Sequence, residues 1–178
     1  MTRELTVRPA MLGDLDAIVE LRLSLLREYA DHPFYARLRP DVRARAYELY
    51  RAQVVSPYET IFIAERSRHV VGVLRCVDTA TSPVLLPERY CYVSSAYVAA
   101  GERKTGVLRA LLVAAETWCD ERGLGEMRLH NSSGSAEARA AWSALGFEVV
   151  EEVRRREVHV KDATPLRANP ARSTHGAT

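Results

Sequence analysis

The sequence predicts an α/β fold of the α+β type, in which helices flank one mixed sheet. Two observations lead to this class. Strand-like and helix-like patterns follow one another in the order βααβββαβαβ, with hairpins before a central helix and βαβ connections after it. The 178 residues suit one domain, and 47% hydrophobic with 27% charged residues is typical of an ordinary globular protein. We therefore expect a single domain over residues 1–161.

Hydrophobic periodicity defines the elements of the first half of the chain. Alternation over residues 5–8 predicts a half-buried strand. Apolar side chains at helical spacing predict one helix over 14–29, capped by the Asp14 side chain, and a second helix over 41–55. Two β-branched runs, at 60–64 and 70–77, predict a hairpin.

The second half alternates strands with helices. It contains a strand over 89–98, the central helix over 107–122, a short strand over 126–130, a helix over 135–145 and a final strand over 147–160. The helices end at glycines, where left-handed C-caps are common. This alternation predicts parallel pairing in the last part of the sheet.

The C-terminal region contains two further features. The three arginines at 154–156 are interpreted as charges that protect an exposed strand edge, with attraction of an acidic acceptor or a cofactor phosphate as the alternative. Residues 162–178 are expected to form a disordered tail. From 165 to 178 the one large apolar side chain is Leu166, which is too little burial to offset the entropy of ordering the tail.

Composition excludes several classes of protein. A net charge of +2 gives no electrostatic reason to expect a nucleic acid or an anionic membrane as partner. No apolar run approaches the length of a membrane helix or a signal peptide, so a cytoplasmic location is expected. Cys76, Cys91 and Cys119 lie far apart without metal-ligand spacing, which favours reduced core thiols and no metal site.

The stretch from the fourth strand into the central helix indicates an anion site. A helix N-terminus offers unpaired N–H groups and partial positive charge, and Arg103 and Lys104 lie beside it. Gly106 leaves the backbone open to close approach. The spacing is too short for a G-x-x-x-x-G-K-[ST] phosphate loop, which disfavours a nucleotide triphosphatase. The alternative is a solvated basic turn before an ordinary amphipathic helix.

At these residues the chain resembles the GNAT (Gcn5-related) N-acyltransferase superfamily. The family's pyrophosphate loop, R/Q-x-x-G-x-G/A before a helix, corresponds to residues 103–108, with Leu108 where Gly or Ala is usual. A second signature, N-x-x-A-x-x-x-Y-x-x-x-G-F, keeps its spacing over 135–147 but has Ser135 for Asn and Trp142 for Tyr. The resemblance covers about residues 3 to 157.

The resemblance implies both a fold and an activity. The fold is a central, mostly antiparallel sheet of about six strands with about four helices, splayed between strands four and five. The activity is transfer of an acetyl or other acyl group from acyl-CoA to a small amine by direct attack. The residues implied in acyl-CoA binding are Ala96, Tyr97, Val98, Arg103, Lys104, Thr105, Gly106, Val107, Leu108, Ser135 and Trp142.

The acid/base positions depart from the family pattern. Ser94 stands where the family usually has a glutamate base. Trp142 stands where the family has a tyrosine that can protonate the leaving thiolate. The indole N–H of tryptophan donates a hydrogen bond but gives up no proton. His130 is the first base candidate, because histidine is the side chain type that ordinarily titrates near neutrality. The further candidates are Glu88, Tyr92 and Asp78. A hydrogen-bonded structural role for His130 and a core role for Trp142 are the alternatives.

Two functional hypotheses therefore follow. The first is an N-acetyltransferase, for which the resemblance also allows a homodimer. The second is a catalytically weak or inactive acyl-CoA-binding or regulatory module, because Ser94 and Trp142 occupy the two acid/base positions. The loop around His32, Phe34 and Tyr35 either lines the acceptor site or is a surface loop with one aromatic anchor.

Overall fold

A computed structural model describes residues 4–158, and the predicted tail, 162–178, lies outside the described residues. Within the described residues, contacts group 4–147 into one compact unit and 148–158 into a second. The strands are β1 (Leu5–Pro9), β2 (Glu59–Arg66), β3 (His69–Ala80), β4 (Arg89–Val98) and β5 (Met127–Leu129). The helices are α1 (Leu15–Glu28), α2 (Val42–Val54), α3 (Val107–Arg122) and α4 (Ala136–Ala144).

The five strands form one sheet in the order β1-β2-β3-β4-β5. The first four are antiparallel neighbours, and β5 is parallel to β4. The β2–β3 hairpin turns at Ser67 and Arg68, whose φ angles of 52° and 66° match the twist of the strands. The predicted mixed, mostly antiparallel sheet is thereby confirmed.

Hydrophobic side chains cover both faces of the sheet. On one face α3 contributes Val107, Leu111 and Ala115 to a cluster with β3 and β4, and on the other face α1 and α2 pack over residues such as Ile63. The approach of α3 depends on Gly72, because a Cβ atom there would lie 2.8 Å from Val107 Cγ1. The start of α3 is therefore held close to β3.

The sheet opens between β4 and β5. The two strands pair over Cys91–Met127, Tyr92–Arg128 and Val93–Leu129, and no described strand pairs with this edge of β4 beyond that point. At the same place the β3–β4 register shifts, and Ser95 takes a φ of +52°. This bulge changes the alternation of β4, since Val93 faces the α3 cluster whereas Tyr97 faces the α1/α2 cluster.

Two predictions of local structure are wrong. Residues 148–158 contain no strand, whereas 147–160 were expected to form one, and residues 159–160 lie outside the described part of the chain. Val149 and Val150 are 80% and 87% exposed, so the apolar alternation of this segment has no buried face to stabilise it. Two of its arginines instead pair locally, Arg154 with Glu152 at 2.7 Å and Arg155 with Glu157.

Asp14 does not cap α1 with its side chain. Its carboxylate accepts hydrogen bonds from the Arg8 guanidinium at 2.8 and 2.9 Å and from the Met11 N–H at 2.7 Å. The hydrogen bond from Arg8 lowers the pKa of Asp14, although burial opposes this effect. The aspartate thus fixes the turn between β1 and α1 rather than the helix end.

The three cysteines are buried and free. The Cys119 thiol lowers the pKa of Cys91, but the Cys76 thiol and burial raise it, to about 12. A thiol of this kind stays protonated at neutral pH and has the low reactivity of a core residue.

Over residues 4–158, no helix combines the length and the apolar character that crossing a membrane would require.

Candidate functional site

A cleft with a volume of about 120 Å³ opens where β4 and β5 separate. Its walls come from α1, from the bulged part of β4, from the segment after β5 and from α4. The Ser94, His130 and Trp142 side chains, which the sequence singled out for chemistry, all line it. No aspartate or glutamate of the described chain lines this cleft.

The β4 wall presents serine hydroxyls that the protein itself holds in place. Ser94 Oγ accepts a hydrogen bond from Arg75 Nη1 at 3.1 Å, and Arg75 also pairs with Glu59. Ser95 Oγ accepts one from Tyr50 Oη at 3.3 Å. Ser94 therefore lies near a neutralised ion pair rather than near a carboxylate free to take a proton.

His130 lies just after β5 and contacts Tyr92 across the opening of the sheet. Its Nδ1 atom is 2.9 Å from Tyr92 Oη, which leaves the second ring nitrogen, Nε2, outside this contact. Burial, with Tyr35 and Tyr90 adding to it, raises the pKa of Tyr92, so the phenol stays protonated at neutral pH. The arrangement fixes the imidazole by one nitrogen and leaves the other for proton transfer.

The α4 wall is formed by Ala138 and Trp142. Ser135 Oγ caps this helix by accepting a hydrogen bond from the Ala138 N–H at 3.1 Å. The Trp142 indole is half-buried and meets the Phe147 ring edge to face, with 5.2 Å between the ring centroids. Trp142 thus forms part of the cleft as well as the packing of α4 against the sheet.

The α1 wall combines apolar, aromatic and cationic side chains. Leu25, Leu26 and Tyr29 line the cleft together with Arg22. Tyr35 joins them from the following loop, where it stacks on the His32 ring with 4.6 Å between centroids. The loop around residues 32–35 therefore contributes to the cleft through Tyr35.

The loop before α3 has the conformation of a backbone anion site. Lys104 and Gly106 take φ angles of +60° and +89°, and Gly106 is the N-cap residue from which α3 begins. Lys104, Thr105 and Gly106 are exposed, and no side chain of residues 4–158 caps the helix start. Free N–H groups at a helix N-terminus favour a negatively charged group.

Arg103 is held by the protein rather than directed into solvent. Its guanidinium donates to both carboxylate oxygens of Glu28, at 2.8 and 2.6 Å, and its Nε donates to the Val98 carbonyl at 3.1 Å. Tyr97 Oη donates to the same glutamate at 2.7 Å. Burial raises the pKa of Glu28, but the hydrogen bonds from Tyr97 and Arg103 together lower it by more than that. The pKa of Glu28 is therefore below its ordinary value, and the carboxylate stays charged.

The other sequence-predicted residues divide into two groups. Ala96 lines the cleft, whereas Tyr97 and Val98 are buried in the two hydrophobic clusters and residues 103–108 lie outside the cleft. Glu88 and Asp78 do not line it; the Asp78 side chain is fully buried and pairs with Arg89. The structure therefore brings Tyr92, but neither of these carboxylates, to His130.

Sequence reasoning missed Arg22 and Glu28. Helical periodicity alone places Glu28 on the solvent side of α1, whereas the structure joins it to Arg103 and Tyr97. Arg22 had a visible signal, because it follows Ile18 by four residues and precedes Leu26 by four, in the middle of the apolar face. A charged residue at such a position indicates a special environment.

Comparisons with known proteins agree with this geometry. The sequence model of the acetyltransferase (GNAT) family matches residues 22–147. No curated protein sequence matches the chain. A predicted acetyltransferase from Clostridium acetobutylicum, solved with acetyl-CoA, is 16% identical with a TM-score of 0.71, over 86% of this chain and 96% of that chain.

Two further structures have the same TM-score of 0.71. A GCN5-related N-acetyltransferase from Ralstonia eutropha is 18% identical, over 86% of this chain and 99% of that chain. An aminoglycoside 6'-N-acetyltransferase from Acinetobacter baumannii is 15% identical, over 89% of this chain and 100% of that chain. At these identities the likeness establishes a common fold.

Proposed function

Because the chain belongs to the acetyltransferase (GNAT) family, we propose that it transfers an acyl group, acetyl in the simplest case, from acyl-CoA to an amine. The observation that supports this most is the cleft at the β4–β5 opening. There the backbone of β4 beyond Val93 has no partner strand on this edge among the described residues, and His130 and Trp142 line the same cleft. The predicted acetyltransferase from Clostridium acetobutylicum was solved with acetyl-CoA, which is consistent with the same cosubstrate here.

The proposed reaction is a direct acyl transfer. A neutral amine nitrogen attacks the thioester carbonyl carbon, a C–N bond forms and the C–S bond breaks. The nitrogen loses one proton to become the amide, and CoA leaves as a thiolate that takes up a proton. Backbone N–H groups of β4 beyond Val93 stabilise the negative charge that develops on the carbonyl oxygen. The ordinary thiol pKa of about 8.5 makes the thiolate a tolerable leaving group without a strong acid.

Before attack, the acceptor ammonium must lose a proton. Its ordinary pKa of about 10 leaves few free lone pairs at neutral pH. We assign the base role to His130, because its Nδ1 contact with Tyr92 Oη orients the ring. When Nδ1 donates its proton to Tyr92, Nε2 keeps a lone pair and can accept the proton of the amine, directly or through water.

The exposed loop at the start of α3 is the proposed seat of the cosubstrate's pyrophosphate. The N–H groups after Gly106 supply partial positive charges, and the exposed Lys104 ammonium supplies a full one. Arg103 acts through the protein, since its contacts with Glu28 and Val98 fix the first residue of the loop. Arg103 is therefore proposed as a positioning residue.

Arg103→Ala and Glu28→Gln distinguish positioning from direct contact. If Arg103 positions the loop, both substitutions should weaken acetyl-CoA binding, by about 1–3 kcal/mol for the loss of charge-assisted hydrogen bonds. Isothermal titration calorimetry at two salt concentrations measures this, and the exposed Arg109→Ala is the matched control. Tighter binding by Glu28→Gln would contradict positioning, because it would mean that a released Arg103 contacts the phosphate.

Trp142 is expected to act through packing and cleft shape. Trp142→Phe keeps most of the apolar contact with Phe147 and should leave turnover nearly unchanged. Trp142→Ala should lower the free energy of unfolding by about 2 kcal/mol, which is less than the loss expected for a fully buried tryptophan. Turnover and denaturant unfolding are measured together, with the buried Trp118→Phe as control. A Trp142→Phe variant that binds acetyl-CoA but loses about 10²–10⁴ in rate would instead assign Trp142 to proton transfer or thioester binding.

The activity itself is tested by release of free thiol from acetyl-CoA. The acceptors are simple amines, amino acids and aminoglycosides. Aminoglycosides carry several positive charges, which carboxylates ordinarily balance. Among residues 4–158 no carboxylate lines the cleft, so we expect little turnover with them. Thiol release that requires both protein and acceptor supports the enzyme.

The alternative is an acyl-CoA-binding or regulatory module. Ser94 and Trp142 favour it, because they occupy the two acid/base positions and neither side chain is a proton-transfer group. Ser94 Oγ accepts from Arg75, and an indole holds its proton strongly. Tight acetyl-CoA binding without thiol release from any acceptor would support the module over the enzyme.

A further inference from the structure

Arg22 differs from the other half-buried arginines among residues 4–158. Each of the others contacts a carboxylate: Arg8 with Asp14 and Glu65, Arg66 with Glu102, Arg75 with Glu59, Arg103 with Glu28 and Arg128 with Glu126. Arg22 has no carboxylate contact within the described chain, although its side chain is half-buried in the cleft wall. The remaining described arginines are exposed to solvent.

A guanidinium that has lost part of its hydration is ordinarily compensated by an anion. Partial burial penalises the charge, and carboxylate or phosphate groups restore the lost hydrogen bonds in a fixed, bidentate geometry. The side chains that line the cleft beside Arg22 include Tyr29, Tyr35 and Asn131, which are hydrogen-bonding groups, and no acid. Because no acid among residues 4–158 is placed to compensate Arg22, we look for the anion in a ligand.

The position of Arg22 argues against the phosphates of the cosubstrate as this anion. Arg22 belongs to α1, which packs on the sheet face opposite α3. Residues 103–108, at the start of α3, do not line the cleft. The neighbours of Arg22 in the cleft include Leu25, Leu26 and Tyr29, which suit an apolar group.

We propose that Arg22 binds a carboxylate of the acceptor, and that the acceptor is an amino acid with an apolar side chain, which would be acylated on its amino group. This inference rests on the acyl transfer proposed above. The carboxylate pairs with the guanidinium, the apolar side chain contacts Leu25 and Leu26, and the amine faces the β4 opening. The carboxylate takes no part in the chemistry, so the products are an N-acyl amino acid and CoA.

Matched acceptor pairs test the proposal. Leucine, methionine and phenylalanine are each compared with their carboxamides in the acetyl-CoA thiol-release assay, using the full chain. We expect kcat/KM to be about 10–100-fold higher for each free acid, the effect of one charge-assisted pair. The amides have the lower amine pKa, which favours their attack, so protonation of the amine cannot produce this preference.

Substitutions at Arg22 connect the preference to the residue. Arg22→Gln should lower kcat/KM for the acids by about 10–100-fold and leave the amides nearly unchanged, while Arg22→Lys should keep part of the preference because it keeps the charge. Arg27→Gln, on the exposed side of the same helix, is the control and should change neither. Since Arg22 has no carboxylate partner among residues 4–158, the variants should unfold at the same denaturant concentration as the wild type.

Three results would overturn the proposal. The first is equal use of acids and amides by the wild type; the second is an equal effect of Arg22→Gln on both. The third is a loss of kcat/KM in Arg22→Gln that is seen with succinyl-CoA and the amides but not with acetyl-CoA and the acids. That result would assign the anion to the acyl group.

If no acceptor gives thiol release, the proposed function fails. Calorimetric titration of the protein with the amino acids then decides the carboxylate site separately. Binding that is lost in Arg22→Gln supports the site, and absence of binding to the wild type refutes it.

Discussion

Replacing His130 by Gln should lower kcat/KM for acyl transfer at neutral pH by about 10²–10⁴-fold, the usual contribution of a positioned general base. Glutamine keeps the size and hydrogen bonding of the side chain but cannot accept the proton of the ammonium. Tyr92→Phe removes the group 2.9 Å from Nδ1 and should cause a smaller loss, because the ring remains but is no longer oriented. The thiol-release rate under subsaturating acceptor measures both effects.

A pH series separates the base role from a structural one. As pH rises toward the pKa of the acceptor amine, solvent deprotonates the amine, and the rate of His130→Gln should approach that of the wild type. A variant damaged in structure would stay slow at every pH. His69→Gln, in an exposed position at the start of β3, is the control and should keep the wild-type rate. A folded His130→Gln protein with the wild-type rate would assign the base role to water or another group.

Replacing Gly106 by Val should weaken acetyl-CoA binding by about 10²–10⁴-fold, corresponding to the loss of two charge-assisted hydrogen bonds from backbone N–H groups. Gly106 has a φ of +89°, which a β-branched residue rarely adopts, so the loop must change its conformation. The added side chain also covers the helix start from which the N–H groups project. Because the effect is steric, it should persist at high salt, unlike the loss of a surface charge.

Gly101→Val is the matched control for this variant. Gly101 lies in the same connection and has no positive φ, and a Cβ atom added there would meet no other atom within 4 Å. Its substitution should leave acetyl-CoA affinity nearly unchanged. Equal binding of acetyl-CoA and of a pantetheine thioester without the pyrophosphate by the wild type would show that the loop is not the phosphate site. The same conclusion would follow if both valine variants bound acetyl-CoA with the wild-type affinity.

Much of the fold was already determined by local sequence patterns. The hydrophobic face of α3, with Leu111 and Ala115, and the glycines at its two ends are local signals, and the structure places this helix between Gly106 and Gly123 as expected. The β2–β3 hairpin follows from two β-branched runs separated by a short polar turn. Such signals act over a few residues, which is why the sequence predicts them.

Local patterns failed where the outcome depended on distant partners. The alternation over 147–160 resembles a strand, but a strand forms only if another strand and a buried face are available, and Val149 and Val150 are exposed. Asp14 has the residue type of a helix cap, yet Arg8 binds its carboxylate. In each case the competing interaction is not visible in the local sequence.

The sequence by itself determined the class of fold, the family resemblance and the loop before α3, because these depend on periodicity, turn residues and motif spacing. The tertiary structure alone decided the composition of the cleft. The β4 bulge at Ser95 and the short pairing with β5 open the sheet. The packing of α1 brings Arg22 to that opening, where no carboxylate of the described chain meets it. These contacts join residues from distant parts of the chain, and their energy depends on burial that no local pattern encodes.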